Sequence, residues 1–130
     1  MSQNVAPMGK LTPRQCDYLQ LTAFVLAQHG RHERADQLLA ALCEAGGATL
    51  PVLLSRAVLR YQLGDFRTAI DLLDQIDAGD PIERFGVQQL SERHKLRRYL
   101  KARCYRELGN LAKANEAVDI YLRRLGTARD

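Results

Sequence analysis

Three groups of residues have types that chemistry uses. His29 and His32 straddle Gly30 and are followed by Glu33. These are the residue types of a zinc-protease helix, in the wrong order. Two histidines three apart across a helix-breaking glycine cannot aim at one ion from a continuous helix, so they read as turn residues. Asp71, Asp74, Asp77 and Asp80 recur every third residue. Such a row invites a cation but lacks the glycine and terminal glutamate of a calcium loop, so it reads as a solvated face and helix end. The third group is the densest charge run: Arg93, His94, Lys95, Arg97, Arg98, Lys101, Arg103 and Arg106. On a helix, Arg93, Arg97 and Lys101 share one stripe, and Arg103 and Arg106 share another. A nucleic-acid module would turn such a patch toward phosphates. Here Glu92 and Glu107 dilute it, and no nucleic-acid motif accompanies it. A solvated face, or a site for an acidic peptide, is the preferred reading. There is no Gly-rich phosphate loop, no nucleophile elbow, no Ser/His/Asp or Cys/His set and no metal-ligand cluster. The sequence therefore predicts a binding protein, not an enzyme, with no catalytic residue, metal or cofactor.

The elements that would position a binding surface are legible from one recurring frame. Ala57…Gly64…Ala69 reads as the end of one helix, a tight turn at Gly64-Asp65 and the start of a second. The glycine takes the left-handed position after the first helix. Asp65 caps the second, and the two alanines let the helices approach closely. Ala23…Gly30…Ala35 and Ala102…Gly109…Ala114 keep both intervals. The first two glycines are 34 residues apart, the period of a tetratricopeptide repeat. The second and third are 45 apart, which is that period plus 11. The expected fold is all-α, with about three antiparallel helix pairs forming a short right-handed solenoid with a concave groove.

In chain order, residues 1–10 are expected to be a loose tail. The domain covers 11–126, with repeats at about 12–45, 50–80 and 91–125, and 127–130 is a second tail. Thr12, Pro13 and Gln15 spell a capping box with proline at the first helical position. That helix should run to Gln28, with Leu19, Leu21, Phe24, Val25 and Leu26 making more than one apolar face. Its partner spans about Glu33 to Glu44, with Ala35, Leu38, Leu39 and Leu42 spaced three to four apart, and Gly46-Gly47 ends it. Helices over about 51–63 and 66–76 follow, with Leu53, Leu54, Val58, Leu59, Ile70, Leu72, Leu73 and Ile76 as core. The 11 added residues, about three helical turns, either lengthen the next helix back to Pro81 or form a loop or short helix around Phe85 and Gly86. The second option, with a fresh start at Ser91, is preferred. The last helix spans about 111–125, with Ala114, Ala117, Val118, Tyr121 and Leu122 inward.

Composition sets the outer bounds. One domain of 130 residues with 46% hydrophobic and 26% charged residues is ordinary for a globular chain. A net charge of +4 permits an acidic or nucleic-acid partner without requiring one. Cys16, Cys43 and Cys104 lack a C-x-x-C spacing and read as buried reduced thiols, which points to a reducing compartment. With no apolar run for a signal peptide or membrane span, the cytoplasm is the expected location.

Function should sit on the concave wall, which solenoids build from the first helix of each pair. The positions one to three turns before each turn glycine are Gln20, Phe24 and Ala27; Leu54, Val58 and Tyr61; and Tyr99, Arg103 and Arg106. They describe an apolar and aromatic floor with an arginine end, suited to a partner helix or extended peptide with apolar anchors and acidic residues. The alternative reading of Phe24, Leu54 and Val58 is core, but with about three repeats in so short a chain one groove wall should remain uncovered unless a partner fills it.

Leu11 to Gln15, Tyr18 to Leu21, His29 to Ala35 and Leu38 to Leu42 together resemble the opening of the small tetratricopeptide chaperones of bacterial type III secretion. The YscY type is closer than the YscG type. The likeness covers about the first 35 to 40 residues, and beyond them only the repeat spacing matches. The usual tryptophan of the first helix, and the glycine beside its small residue, are missing. The resemblance implies a cytoplasmic chaperone in a hetero-oligomer. It would hold a small secreted protein (YscX-like or needle-subunit-like) in its groove and engage the export gate, with no catalysis. A general scaffold of the same fold and a basic nucleic-acid-binding module are the alternatives.

Overall fold

The computed structural model describes residues 11–81 and 92–118, and all of its regular structure there is helical. Helix α1 spans Pro13–Gln28, α2 His32–Leu42, α3 Leu50–Gln62, α4 Phe66–Gly79 and α5 Glu92–Glu107; α6 is helical over 111–118. A π-type turn, Cys43–Gly47, prolongs α2 before the chain reverses. The expected tails, the 82–91 segment with Phe85, Gly86 and Ser91, and Tyr121 and Leu122 lie outside the described residues.

The helix starts are chemical. Thr12 and Gln15 form the capping box, with Gln15 N–H donating to Thr12 Oγ1 at 3.1 Å and Thr12 N–H donating to Gln15 Oε1 at 2.9 Å. Asp65 accepts the Thr68 N–H at 3.3 Å, and Asn110 accepts that of Lys113 at 3.2 Å.

The three turns repeat bond for bond. Gly30, Gly64 and Gly109 have φ of 79°, 82° and 82°, where a side chain would be strained. Each glycine N–H bonds the carbonyl three residues back, on Ala27, Tyr61 and Arg106, at 3.0 Å. The next N–H, on Arg31, Asp65 and Asn110, reaches five residues back at 2.9, 2.9 and 2.8 Å. This is the Schellman closure, which satisfies two carbonyls that a helix end leaves free. All six frame alanines (Ala23, Ala35, Ala57, Ala69, Ala102 and Ala114) are buried. Ala69 is fully enclosed among Ile70, Cys104, Tyr61, Phe66 and Tyr105. Ala69→Leu is therefore expected to overpack the α4–α5 contact and cost about 1–3 kcal/mol. A melting curve unchanged from wild type would show that the helices do not meet there.

From α1 to α5 packing is sequential, each helix against the next, and α3 also touches α5. One apolar cluster joins Ala23, Ala35, Leu39, Leu42, Val52 and Leu59 across α1, α2 and α3. Another joins Leu53, Ala57, Leu72, Leu73, Ile76 and Leu100 across α3, α4 and α5. The expectation that α1 is covered on more than one apolar face is overturned at Leu21 and Val25, 62% and 43% exposed, because α1 packs chiefly against α2 and keeps an open side; Phe24, expected in the groove, is 59% exposed. Val118 is also exposed.

Both joints between successive helix pairs are ionic. At the first, Asp36 of α2 is fully buried. Arg56 Nε and Arg60 Nε, from α3, each donate to it at 2.8 Å. The bond to Asp36 outweighs the burial of Arg56 and raises its pKa. At the second joint, Arg97 of α5 is 4% exposed. Its Nη2 meets Asp77 Oδ1 at 2.5 Å and the Asp80 carbonyl at 2.6 Å, and its Nη1 meets Asp80 Oδ2 at 2.9 Å. Lys101 Nζ bridges Asp74 and Asp77. This corrects the reading of Asp74, Asp77, Asp80, Arg97 and Lys101 as two solvated faces. The acidic row and the basic stripe face each other across α4 and α5. Burial pushes the Asp77 carboxyl up, but hydrogen bonds from Lys101 and Arg97 win and hold it below the usual carboxylate range. Lys101 is raised because Asp74 and Asp77 outweigh its own desolvation.

The cysteines divide. All three are free, and Cys104 is buried, but Cys16 and Cys43 are only half-buried, so the expectation of three buried thiols holds for one. Burial pushes Cys104 up to about 11, and since the thiolate is the reactive form, a thiol reagent at pH 8 should modify Cys104 about a hundredfold or more slower than Cys16. Comparable rates, read by mass spectrometry, would mean that the α4–α5 contact opens readily.

Candidate partner-binding groove

Helix α3 is central, with α1 on one flank and α5 on the other, and its two flanks carry different surfaces. Between α1 and α3 lies an open cleft of about 450 Å³. Gln20, Ala23, Phe24 and Ala27 line it from α1; Ser55, Val58, Leu59 and Gln62 from α3; Leu39 and Val52 lie beneath. The apolar wall is there because α1 and α3 are each tied down by α2, through the alanine contacts and the Asp36 pair, without closing on each other. Phe24 is the largest hydrophobe in the cleft, and over half of it is exposed. An exposed aromatic beside a concave apolar wall is a feature of docking surfaces rather than of cores.

Of the nine expected groove residues, Gln20, Phe24, Ala27 and Val58 line this cleft. The other five do not. Leu54 lies on the other flank of α3, in a separate cavity with Ile76 and Arg97. Tyr61 is half-buried, its ring edge-on to Phe66 at 5.8 Å between centroids. Tyr99 is 52% exposed. Arg103 sits over its ring at 5.8 Å and donates to its hydroxyl at 3.1 Å. Tyr99 and Arg103 thus form a pair on α5, apart from the cleft. Arg106 is exposed in the last turn of α5.

The split has a simple cause. The expected stripe 54–58–61 points along the middle of α3, and a helix flanked on both sides divides such a stripe between its neighbours. The face turned to α1 is centred on Ser55, Val58 and Gln62, spaced i, i+3, i+7. Sequence reasoning missed Ser55 and Gln62, although their helical spacing from Val58 was there to be read.

His29, near the cleft at the end of α1, is engaged in a structural bond, its Nδ1 lying 2.8 Å from the Val25 carbonyl oxygen. Among the described residues, no three His, Cys, Asp or Glu side chains come together as a metal site, and no helix is long and apolar enough to cross a membrane. The cleft offers apolar contact, one exposed aromatic ring and the polar groups of Gln20, Ser55 and Gln62. Compared with known proteins, the chain matches no family model and no curated sequence.

Proposed function

We propose that the chain is a tetratricopeptide-like adaptor that holds an amphipathic helix or extended segment of a partner protein against the α1–α3 cleft. The observation that carries this reading is the cleft itself, with Phe24 standing open above Val58 and Leu59. The three hydrogen-bond-identical turns and six buried alanines support a repeat architecture of three helix pairs. The likeness of residues 11–42 to type III secretion chaperones narrows the proposal. The partner would be a small secreted protein, kept soluble in the cytoplasm and delivered to the export gate as a hetero-oligomer.

A general scaffold would use the same cleft for another partner. The nucleic-acid reading loses its patch. Arg97 and Lys101 are spent on Asp74, Asp77 and Asp80, Lys95 pairs with Glu92, and Arg103 lies on Tyr99. Among the described residues, this leaves fewer cations of that run free to follow a phosphate backbone.

The test is co-purification of the tagged chain from its native cell, with mass spectrometry of what stays bound. A small protein of a secretion operon should be retained by wild type and released by Phe24→Asp with an unchanged melting curve. Retention by Phe24→Asp equal to wild type would rule out the cleft as the binding surface.

A further inference from the structure

Helix α1 leaves open a face that the later helix pairs bury. Tyr18 and Val25 lie twelve and five residues before the turn glycine Gly30. The same offsets from Gly64 give Val52 and Leu59, and from Gly109 they give Arg97 and Cys104. All four are buried, each against the second helix of the preceding pair. Val52 and Leu59 join Leu39 and Leu42 of α2, Cys104 joins Ala69 and Ile70 of α4, and Arg97 bonds Asp77 and Asp80 at the end of α4. Among the described residues no helix pair precedes α1, and Tyr18 is 68% exposed, with Leu21 and Val25 beside it. Solenoids end in a polar outer face. This end is apolar.

The open face has the pattern of a helix seam. Arg14, Tyr18, Leu21, Val25 and Gln28 are all exposed and follow one another at spacings of four, three, four and three. That alternation keeps one stripe turned toward a helix lying alongside. The stripe is also complementary to itself. With two copies of α1 antiparallel and Leu21 on the two-fold axis, each Tyr18 meets Val25 of the other copy, a large side chain on a small one. Each Arg14 meets Gln28 of the other copy, at the negative end of a helix that has no basic residue in its own last turn. A parallel pair would instead set Arg14 against Arg14 and Tyr18 against Tyr18.

We propose that this face is covered by a second copy of the chain, in a two-fold dimer built on antiparallel α1 helices. A two-fold contact closes on itself, whereas stacking α6 of one copy on α1 of the next would grow into an open filament. With three apolar side chains from each copy the interface is small, and the dimer is a weak one.

The test is sedimentation velocity of the isolated full chain over about 1 to 300 μM. A reversible monomer–dimer equilibrium is expected. Leu21→Glu sets a carboxylate against its own copy at the axis, and should weaken the dimer about tenfold or more with an unchanged melting curve. Tyr18→Lys and Val25→Glu should each weaken it too. Combined in one chain they should restore it, because position 18 of each copy then meets the opposite charge at position 25 of the other. A chain that stays monomeric throughout leaves the face to a helix of another protein and overturns the proposal. So do polymers larger than a dimer, a Leu21→Glu variant that dimerises like wild type, or a double variant that dimerises no better than the single ones.

Discussion

Arg97→Ala is expected to destabilise the protein by about 3 kcal/mol, at the low end of the range for breaking a buried ion pair. The side chain is 4% exposed and joins α5 to the end of α4 through three bonds, two to Asp80 and one to Asp77. Its removal strands Asp77, which is 25% exposed and keeps only Lys101. Asp80 is 44% exposed and recovers water, which is why the figure is not larger. Arg97→Lys should restore only part of the loss, since an ammonium cannot serve both carboxylates with a planar fork. Arg93→Ala, one turn earlier and exposed, should stay within about 0.5 kcal/mol of wild type. Chemical denaturation of the three variants checks this. Equal stabilities for Arg97→Ala and Arg93→Ala would mean that the second joint is not ionic.

The same joint sets a pH window. The Asp77 carboxyl is held below its ordinary value, so its contribution is present above the unfolded value of about 3.9. It is lost as pH falls through the lower folded value. Lys101 is raised, so its contribution is present below about 10.4 and fades as pH rises through the higher folded value. The contribution of this joint should be flat between these limits, whereas Cys104, kept protonated by burial, lowers overall stability as pH rises above the unfolded thiol value of about 8.5. Arg97→Ala should shrink the acid limb.

The parts that could be read from the sequence were those encoded locally. Thr12 and Gln15 cap α1 because the capping box needs only four adjacent residues. The alanine–glycine–alanine frame marked the three turns because a left-handed glycine and a close helix contact each demand one residue type at a fixed offset. Asp36 was invisible because nothing around it in α2 signals a pair 20 and 24 residues away on α3. Its partners Arg56 and Arg60, four apart, look like any solvated helix face. The row of aspartates and the run of bases were both noticed. Their meaning depends on α4 and α5 lying side by side, and no periodicity within either helix says so. The groove was half-legible for a similar reason: the central α3 turns Ser55 and Gln62 to α1 but Leu54 away from it.

Phe24→Ala is expected to weaken partner binding roughly thirtyfold or more, about 2 kcal/mol, while leaving the melting temperature unchanged. The ring is 59% exposed in the free chain, so its packing value is realised only when a partner covers it. Tyr99→Ala should leave binding close to wild type, because Tyr99 lies on α5, outside the cleft, and already carries Arg103. Tyr61 is a poorer probe, since its ring also supports Phe66. Binding should change only a few-fold between 50 and 200 mM salt, whereas six to ten phosphate contacts would cost about 10³–10⁵ over that range. Calorimetric titration reads both effects. A steep salt slope with no effect of Phe24→Ala would restore the basic-patch reading.

The most direct measurement is photo-crosslinking to the co-purified partner from single positions. A photoreactive phenylalanine analogue would replace Phe24 or Ser55 in the cleft, or Asp71 on the exposed face of α4. The account predicts covalent adducts from positions 24 and 55 and none from 71, with adduct peptides mapping to one amphipathic segment of the partner. Adducts from position 71 with none from 24 or 55 would contradict it.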